Sequence, residues 1–111
     1  MVEYTLRLNS IFSCLADPTR RDILRHLENA ELTVGEIAKF YKLTYAAISK
    51  HLKSMEKAKL ITKRREGKQQ VVKLSPAALK DADQFLRHYE KLWNDRFDAL
   101  EIYLANEGKE K

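Results

Sequence analysis

The 111-residue sequence holds one cysteine, two prolines and three glycines. A single thiol, Cys14, closes no disulfide within the chain. It reads as a small buried hydrophobe, with a redox switch as the alternative. So little glycine and proline excludes a loop-rich or low-complexity chain, and no glycine-rich loop is present to cradle a phosphate. No apolar run approaches the ~18 residues of a membrane span. Met1–Asn9 also lack the apolar stretch of a signal peptide, so a cytoplasmic protein with no membrane partner is expected. The three histidines, His26, His51 and His88, are scattered along the chain, which argues against a metal centre. There is no paired-carboxylate cleft and no nucleophile with a positioned base. The chain is therefore not expected to be an enzyme or to carry a cofactor.

What the sequence does have is segregated charge. Between Lys39 and Lys73 stand eleven Lys and Arg against two acids, Glu56 and Glu66, a net of +9. The remainder carries −4, so the formal +5 hides a cationic third on a mildly acidic scaffold. That distribution is the electrostatic footprint of a nucleic-acid reader.

Periodicity predicts a mainly α fold with a small β-hairpin, as one domain over residues 1–105 followed by a flexible tail, 106–111. Apolar residues at Tyr4, Leu8, Ile11, Phe12 and Leu15 have helical spacing. Asp17-Pro18 restarts the chain as N-cap and first helical residue, and the second helix is expected to run to about Asn29. Thr33 and Glu36 form a capping box for a helix that buries Val34, Ile37, Ala38 and Tyr41 and ends near Tyr41–Leu43. Thr44 caps the next helix, whose inward stripe is Ile48, Leu52 and Met55. Two short helices across a tight turn are a helix-turn-helix. A basic hairpin over residues 60–74, turning at Gly67-Lys68, makes a wing. Ser75-Pro76 repeats the cap-then-proline start, and one helix is expected to Leu104, about 45 Å at 1.5 Å per residue.

That last helix presents a near-heptad seam with more apolar surface than a small headpiece can cover. A homodimer is therefore expected, with Leu8, Ile11, Phe12, Leu86, Tyr89, Trp93, Phe97 and Leu100 at the interface. Trp93, Tyr89 and Phe97 have an organic effector pocket as their alternative reading. On the recognition helix, the face opposite the stripe offers Tyr45, Ala46, Ser49, Lys50 and Lys53. Lys50 can donate to guanine O6 and N7, and the Ala46 methyl can meet a thymine methyl. Thr44 can cap its helix and meet a phosphate together. His51, beside the buried stripe, suits a phosphate contact or packing. Arg64, Arg65, Lys68 and Gln69 of the wing suit phosphates or a minor groove, against a plain solubilising role.

At Ala16-Asp17-Pro18-Thr19-Arg20 and at Ser49-Lys50-His51-Leu52, with a wing ending in Lys73-Leu74-Ser75, the chain resembles the arsenic-repressor (ArsR) family of winged helix-turn-helix regulators. The resemblance spans nearly the whole chain. It implies a dimeric repressor that binds double-stranded DNA at an operator and releases it on a signal, often a metal ion. The sequence departs from the family at the usual metal sites. Thr33-Val34-Gly35 stands where metal-sensing members carry Cys-x-Cys, and His88 has no ligand partner at helical spacing, so no metal is carried over. Lys42 stands at the family's turn glycine, so either Lys42 holds a positive φ or the turn differs. The expected function is a homodimeric, sequence-specific transcriptional repressor reading a palindromic operator through the major groove. The alternatives are a winged-helix module binding protein or RNA, and a metal-responsive repressor with an unusual site. The effector, metal or small molecule, is not identified by the sequence.

Overall fold

The computed structural model describes residues 2–110. The elements are α1 (Val2–Leu15), α2 (Pro18–His26), β1 (Leu32–Thr33), α3 (Val34–Lys39), α4 (Tyr45–Lys57), β2 (Ile61–Glu66), β3 (Gln69–Leu74), a 3-10 turn (Pro76–Ala78), α5 (Leu79–Arg87) and α6 (Glu90–Glu110).

Local chemistry explains the helix starts. Asp17 accepts from the Arg20 amide at 3.1 Å with Pro18 at the first position of α2. Burial opposes ionisation of this carboxylate, but hydrogen bonds from the Arg20 and Thr19 amides and the charge of Arg20 outweigh it, so its pKa is lowered. Thr33 and Glu36 close the capping box at 3.0 and 3.1 Å. Thr44 accepts from the Ala47 amide at 3.1 Å. The stripe Ile48, Leu52 and Met55 is fully buried, together with Ile23, Ile37, Leu60, Ile61 and Val72. One core thus joins α2, α3, α4 and the sheet.

Several expectations need correction. Helix α2 stops at His26, three residues short of Asn29, because the Leu27 amide is shared between the Ile23 and Leu24 carbonyls and the turn tightens. The sheet has three strands in the order β1-β3-β2, not two. Leu32 and Thr33 pair with Val72 and Val71, so the free edge of β3 is covered. The hairpin turns at Gly67-Lys68, with Glu66 opposite Gln69. Gly67 has φ 61°, the conformation that glycine supplies at the first position of a two-residue hairpin loop.

The positive φ weighed for Lys42 falls instead on Lys59, at 61°, alone among the described non-glycine residues. The turn after α3 therefore needs no glycine. At the end of α4, the Leu60 amide reaches the Met55 carbonyl (3.0 Å) and the Lys59 amide reaches the Glu56 carbonyl (2.9 Å). That is a Schellman closure, whose geometry requires the left-handed residue at Lys59.

The last helix is not one run from Ser75. Ser75 makes no side-chain cap; its amide donates to the Leu60 carbonyl at 2.8 Å, and a 3-10 turn follows. The path tightens again at His88-Tyr89. There the backbone ladder passes from Gln84–His88 spacing to a Tyr89 amide on the Leu86 carbonyl, and regular spacing resumes with Trp93 on Tyr89. Helix α6 then continues to Glu110, so residues 106–110, set apart as a tail in the sequence, lie within it. Lys111 is outside the described residues.

Candidate nucleic-acid interface

With Ile48 and Leu52 locked in the core, helical geometry turns the opposite side of α4 outward. Tyr45, 60% exposed, and Thr44, Ala46, Lys50 and Lys53 are all at the surface. Ser49 is half-buried beside them. Neither Lys50 nor Lys53 forms an ion pair among the described residues. The Thr44 hydroxyl is already engaged as the cap of α4.

His51 is half-buried and committed. Its Nδ1 accepts from Arg20 Nε at 3.3 Å, while Arg20 Nη1 also approaches the Ser13 carbonyl at 3.5 Å. Of the two roles left open for His51, the packing and positioning role is the one the geometry displays.

The wing divides into free and engaged cations. Lys68 and Gln69 are exposed. Arg65 donates to the Gly67 carbonyl at 3.2 Å across its own turn, leaving the rest of its guanidinium outward. Arg64 is held by two carboxylates, Glu31 at 2.5 Å and Glu66 at 3.0 Å. The hydrogen bond from Arg64 holds the Glu31 carboxyl below its usual range. Lys63 pairs with Glu56 of α4 at 3.5 Å, which ties the wing to the helix. The 11 cations read from the sequence are therefore not equivalent, and the difference arises from partners distant in the chain. Sequence reasoning missed Arg20 and Glu31, and no local pattern signals either contact.

The turn between α3 and α4 rests on an aromatic cluster. The His26 ring stacks on Phe40 at 4.0 Å, and the Tyr41 hydroxyl donates to Asp22 at 2.6 Å. Burial, and then the Asp22 carboxylate, push the Tyr41 phenol well up. These contacts fix α2 beneath the turn and so set where α4 begins.

The residues proposed for an interface between subunits separate into two groups. Leu8 and Ile11 are 9% and 1% exposed; they are enclosed within the protomer, where α1 packs on α5. Phe12 lies against Phe85 at 5.7 Å and keeps one side open. Leu86, Tyr89, Trp93, Phe97 and Leu100 are 39–63% exposed.

The Thr33 hydroxyl and Glu36 carboxylate are taken by the capping box, and among the described residues no three His, Cys, Asp or Glu side chains converge. Cys14 is buried, and burial raises its thiol pKa against the opposing pull of Arg20. No helix of the described residues is long and apolar enough to cross a membrane.

Comparison with known proteins agrees with this geometry. A helix-turn-helix domain model matches residues 15–64. The chain is 30% identical over 82 residues to the transcriptional repressor SdpR of Bacillus subtilis, covering 74% of this chain and 91% of SdpR. It is 40% identical over 78 residues to the HTH-type transcriptional regulator Rv2034 of Mycobacterium tuberculosis, covering 67% and 73%. The fold superposes on a crystal structure of an ArsR family transcriptional regulator with a TM-score of 0.76 and 29% identity, over 81% of this chain and 93% of that one.

Proposed function

The chain belongs to the ArsR family of winged helix-turn-helix transcriptional regulators, and from that premise we propose that it is a homodimeric repressor reading a palindromic operator. The observation that carries the reading is the state of α4. Its apolar stripe is consumed by the core, and the opposite face is exposed, cationic and, among the described residues, free of ion pairs. The N-terminal residues of such a helix reach base edges in the major groove. Lys50 is the base reader, with Tyr45, Ala46 and Ser49 beside it and Lys53 on phosphate. Thr44 presents the start of α4 to a phosphate. Arg65, Lys68 and Gln69 of the wing follow the backbone or the minor groove and add affinity without sequence choice. His51 positions α4 through Arg20, and Arg64 braces the wing.

The dimer is supported by surface that the protomer leaves open. The radius of gyration is 19.5 Å, against about 13 Å for a compact chain of this length. The accessible surface is 8630 Å², against roughly 6,300 Å² for a compact monomer of this mass. The excess, with Leu86 at the end of α5 and Tyr89, Trp93, Phe97 and Leu100 leading from it into and along α6, is the scale a stable interface needs. Twofold pairing through α6 would set two α4 helices at a fixed spacing. A regulator of this class acts without catalysis and in the cytoplasm.

A footprint on genomic fragments at low salt tests the proposal. Protection of a symmetric site, weakening steeply as salt rises through counterion release, is expected. Absence of any protected site defeats it.

A further inference from the structure

A groove runs between α1 and the C-terminal half of α4. Its larger part is a cavity of about 460 Å³ with Leu6, Ile11, Ala58, Ala77 and Ala78 among its walls. The adjoining part, about 370 Å³ and no more enclosed, is edged by Ser10, Ser13, Ser54, Arg20 and Lys57. Ser10 and Lys57 border both parts, so the two adjoin. Each part alone is in the size range of small-molecule sites.

Charge along the groove is one-sided. Arg20, Lys57 and Lys59 line it, and none of the three forms an ion pair among the described residues. The one carboxylate among the lining residues, Asp81, is already joined to Arg7 at 2.8 Å. Arg20 and three serine hydroxyls line the smaller part, while the larger part, with its leucine, isoleucine and alanine walls, also carries Lys59 and the Arg7–Asp81 pair.

We infer that this groove binds a linear organic anion, with its apolar chain in the larger part and its carboxylate against Arg20, Lys57 and the serines. Along α1 the groove extends from Leu6 to Ser13, about 10 Å at 1.5 Å per residue, the reach of a medium-length acyl chain. Acetate would fill only the head position, and an alcohol of the same length would leave the cations unanswered.

The consequence for DNA rests on the repressor reading given above. Arg20 Nε otherwise reaches His51 on α4 at 3.3 Å, and Lys57 ends that helix. An anion drawing on both redirects the helix that faces the operator, and affinity for DNA falls.

The test separates the site from its consequence. The full chain, without DNA, is titrated calorimetrically with decanoate, 1-decanol and acetate. Decanoate is expected to bind one site per protomer, with the other two weaker by tenfold or more, about 1.4 kcal/mol per tenfold. Ala77→Trp fills the larger part and Lys57→Gln removes a head contact. Each is expected to weaken decanoate by about tenfold or more while thermal midpoints and helicity hold. Saturating decanoate is then expected to lower operator affinity of the unmodified protein, and not of Ala77→Trp. Equal binding of decanol, or unmodified decanoate affinity in both variants, overturns the site. Conversion of dimer to monomer by decanoate also overturns it, because the groove would then be a seat for the second copy. Decanoate binding as described, in a protein that binds no duplex, upholds the site and removes the repressor reading instead.

Discussion

Arg64 on the outer strand of the wing donates to Glu31, 33 residues earlier in the chain, at 2.5 Å. Glu31 immediately precedes β1, so the pair spans the sheet from edge to edge over β3. A second contact, Arg64 to Glu66 at 3.0 Å, holds the same guanidinium from within its own strand. The most basic run of the chain, Lys63-Arg64-Arg65, thereby has its central charge satisfied internally.

Removing both carboxylates should release that charge. Glu31→Gln combined with Glu66→Gln is expected to tighten binding to any duplex and to steepen the salt dependence by about one unit of slope, one more phosphate being neutralised. Glu31→Gln alone should also change the acid limb of stability. Arg64 lowers the Glu31 pKa in the folded state, so this contribution is complete above the ordinary carboxylate range and is lost as pH falls through the lowered folded value. Urea melts below about pH 5 should lose stability less steeply in Glu31→Gln than in the parent. An unchanged salt slope would show that Arg64 does not reach DNA even when freed.

Much of the fold was legible because its signals are local. Asp17-Pro18, Thr33 with Glu36, and Thr44 each announce a helix through the chemistry of three or four consecutive residues, and Ile48, Leu52 and Met55 announce its inner face. The unread parts depend on residues far apart. Leu32-Thr33 is too short to show any period, and becomes a strand because β3 offers an unpaired edge. Lys59 adopts positive φ because Leu60 and Met55 close over the helix end, and a lysine carries no such signal itself. Leu8 and Ile11 have the spacing of an interface stripe, but packing of α1 on α5 uses them inside the protomer. For the candidate site, residue choice followed from the helix face. The distinction between free Lys50 and engaged Arg64 or His51 did not, since it depends on Glu31 and Arg20.

Lys50 and Arg65 should fail differently. Lys50→Ala is expected to relax preference at one base pair, by about 1–3 kcal/mol of discrimination. Arg65→Ala should weaken all sequences alike. Binding arrays over single-base operator variants distinguish the two, and the reverse pattern would mean that the groove assignment is wrong.

The strained helix end offers a stability test. Lys59 stands at φ 61°, where a residue with Cβ costs about 1–2 kcal/mol and glycine costs little. Part of that gain is offset by the greater freedom of glycine in the unfolded chain. Lys59→Gly should therefore raise unfolding free energy by about 0.5–1 kcal/mol. Denaturant melts measure it, and a loss of stability would contradict the Schellman closure.

Subunit pairing can be tested on α6. Phe97 is 63% exposed in the protomer and is not a member of the buried core. Phe97→Glu should leave helicity intact and shift sedimentation toward monomer, weakening dimerisation by at least about tenfold. Operator affinity should fall with it, since a lone headpiece reads half a site. Unchanged sedimentation would place the subunit contact elsewhere.

The most direct measurement is selection of bound sequences from random duplexes by the full chain. The expected result is an inverted repeat whose half-sites lie about one helical turn, ~10 base pairs, apart or a multiple of it, with preference relaxed at a single position of each half-site in Lys50→Ala. Enrichment of no sequence, or of a single half-site without symmetry, would contradict a paired major-groove reader.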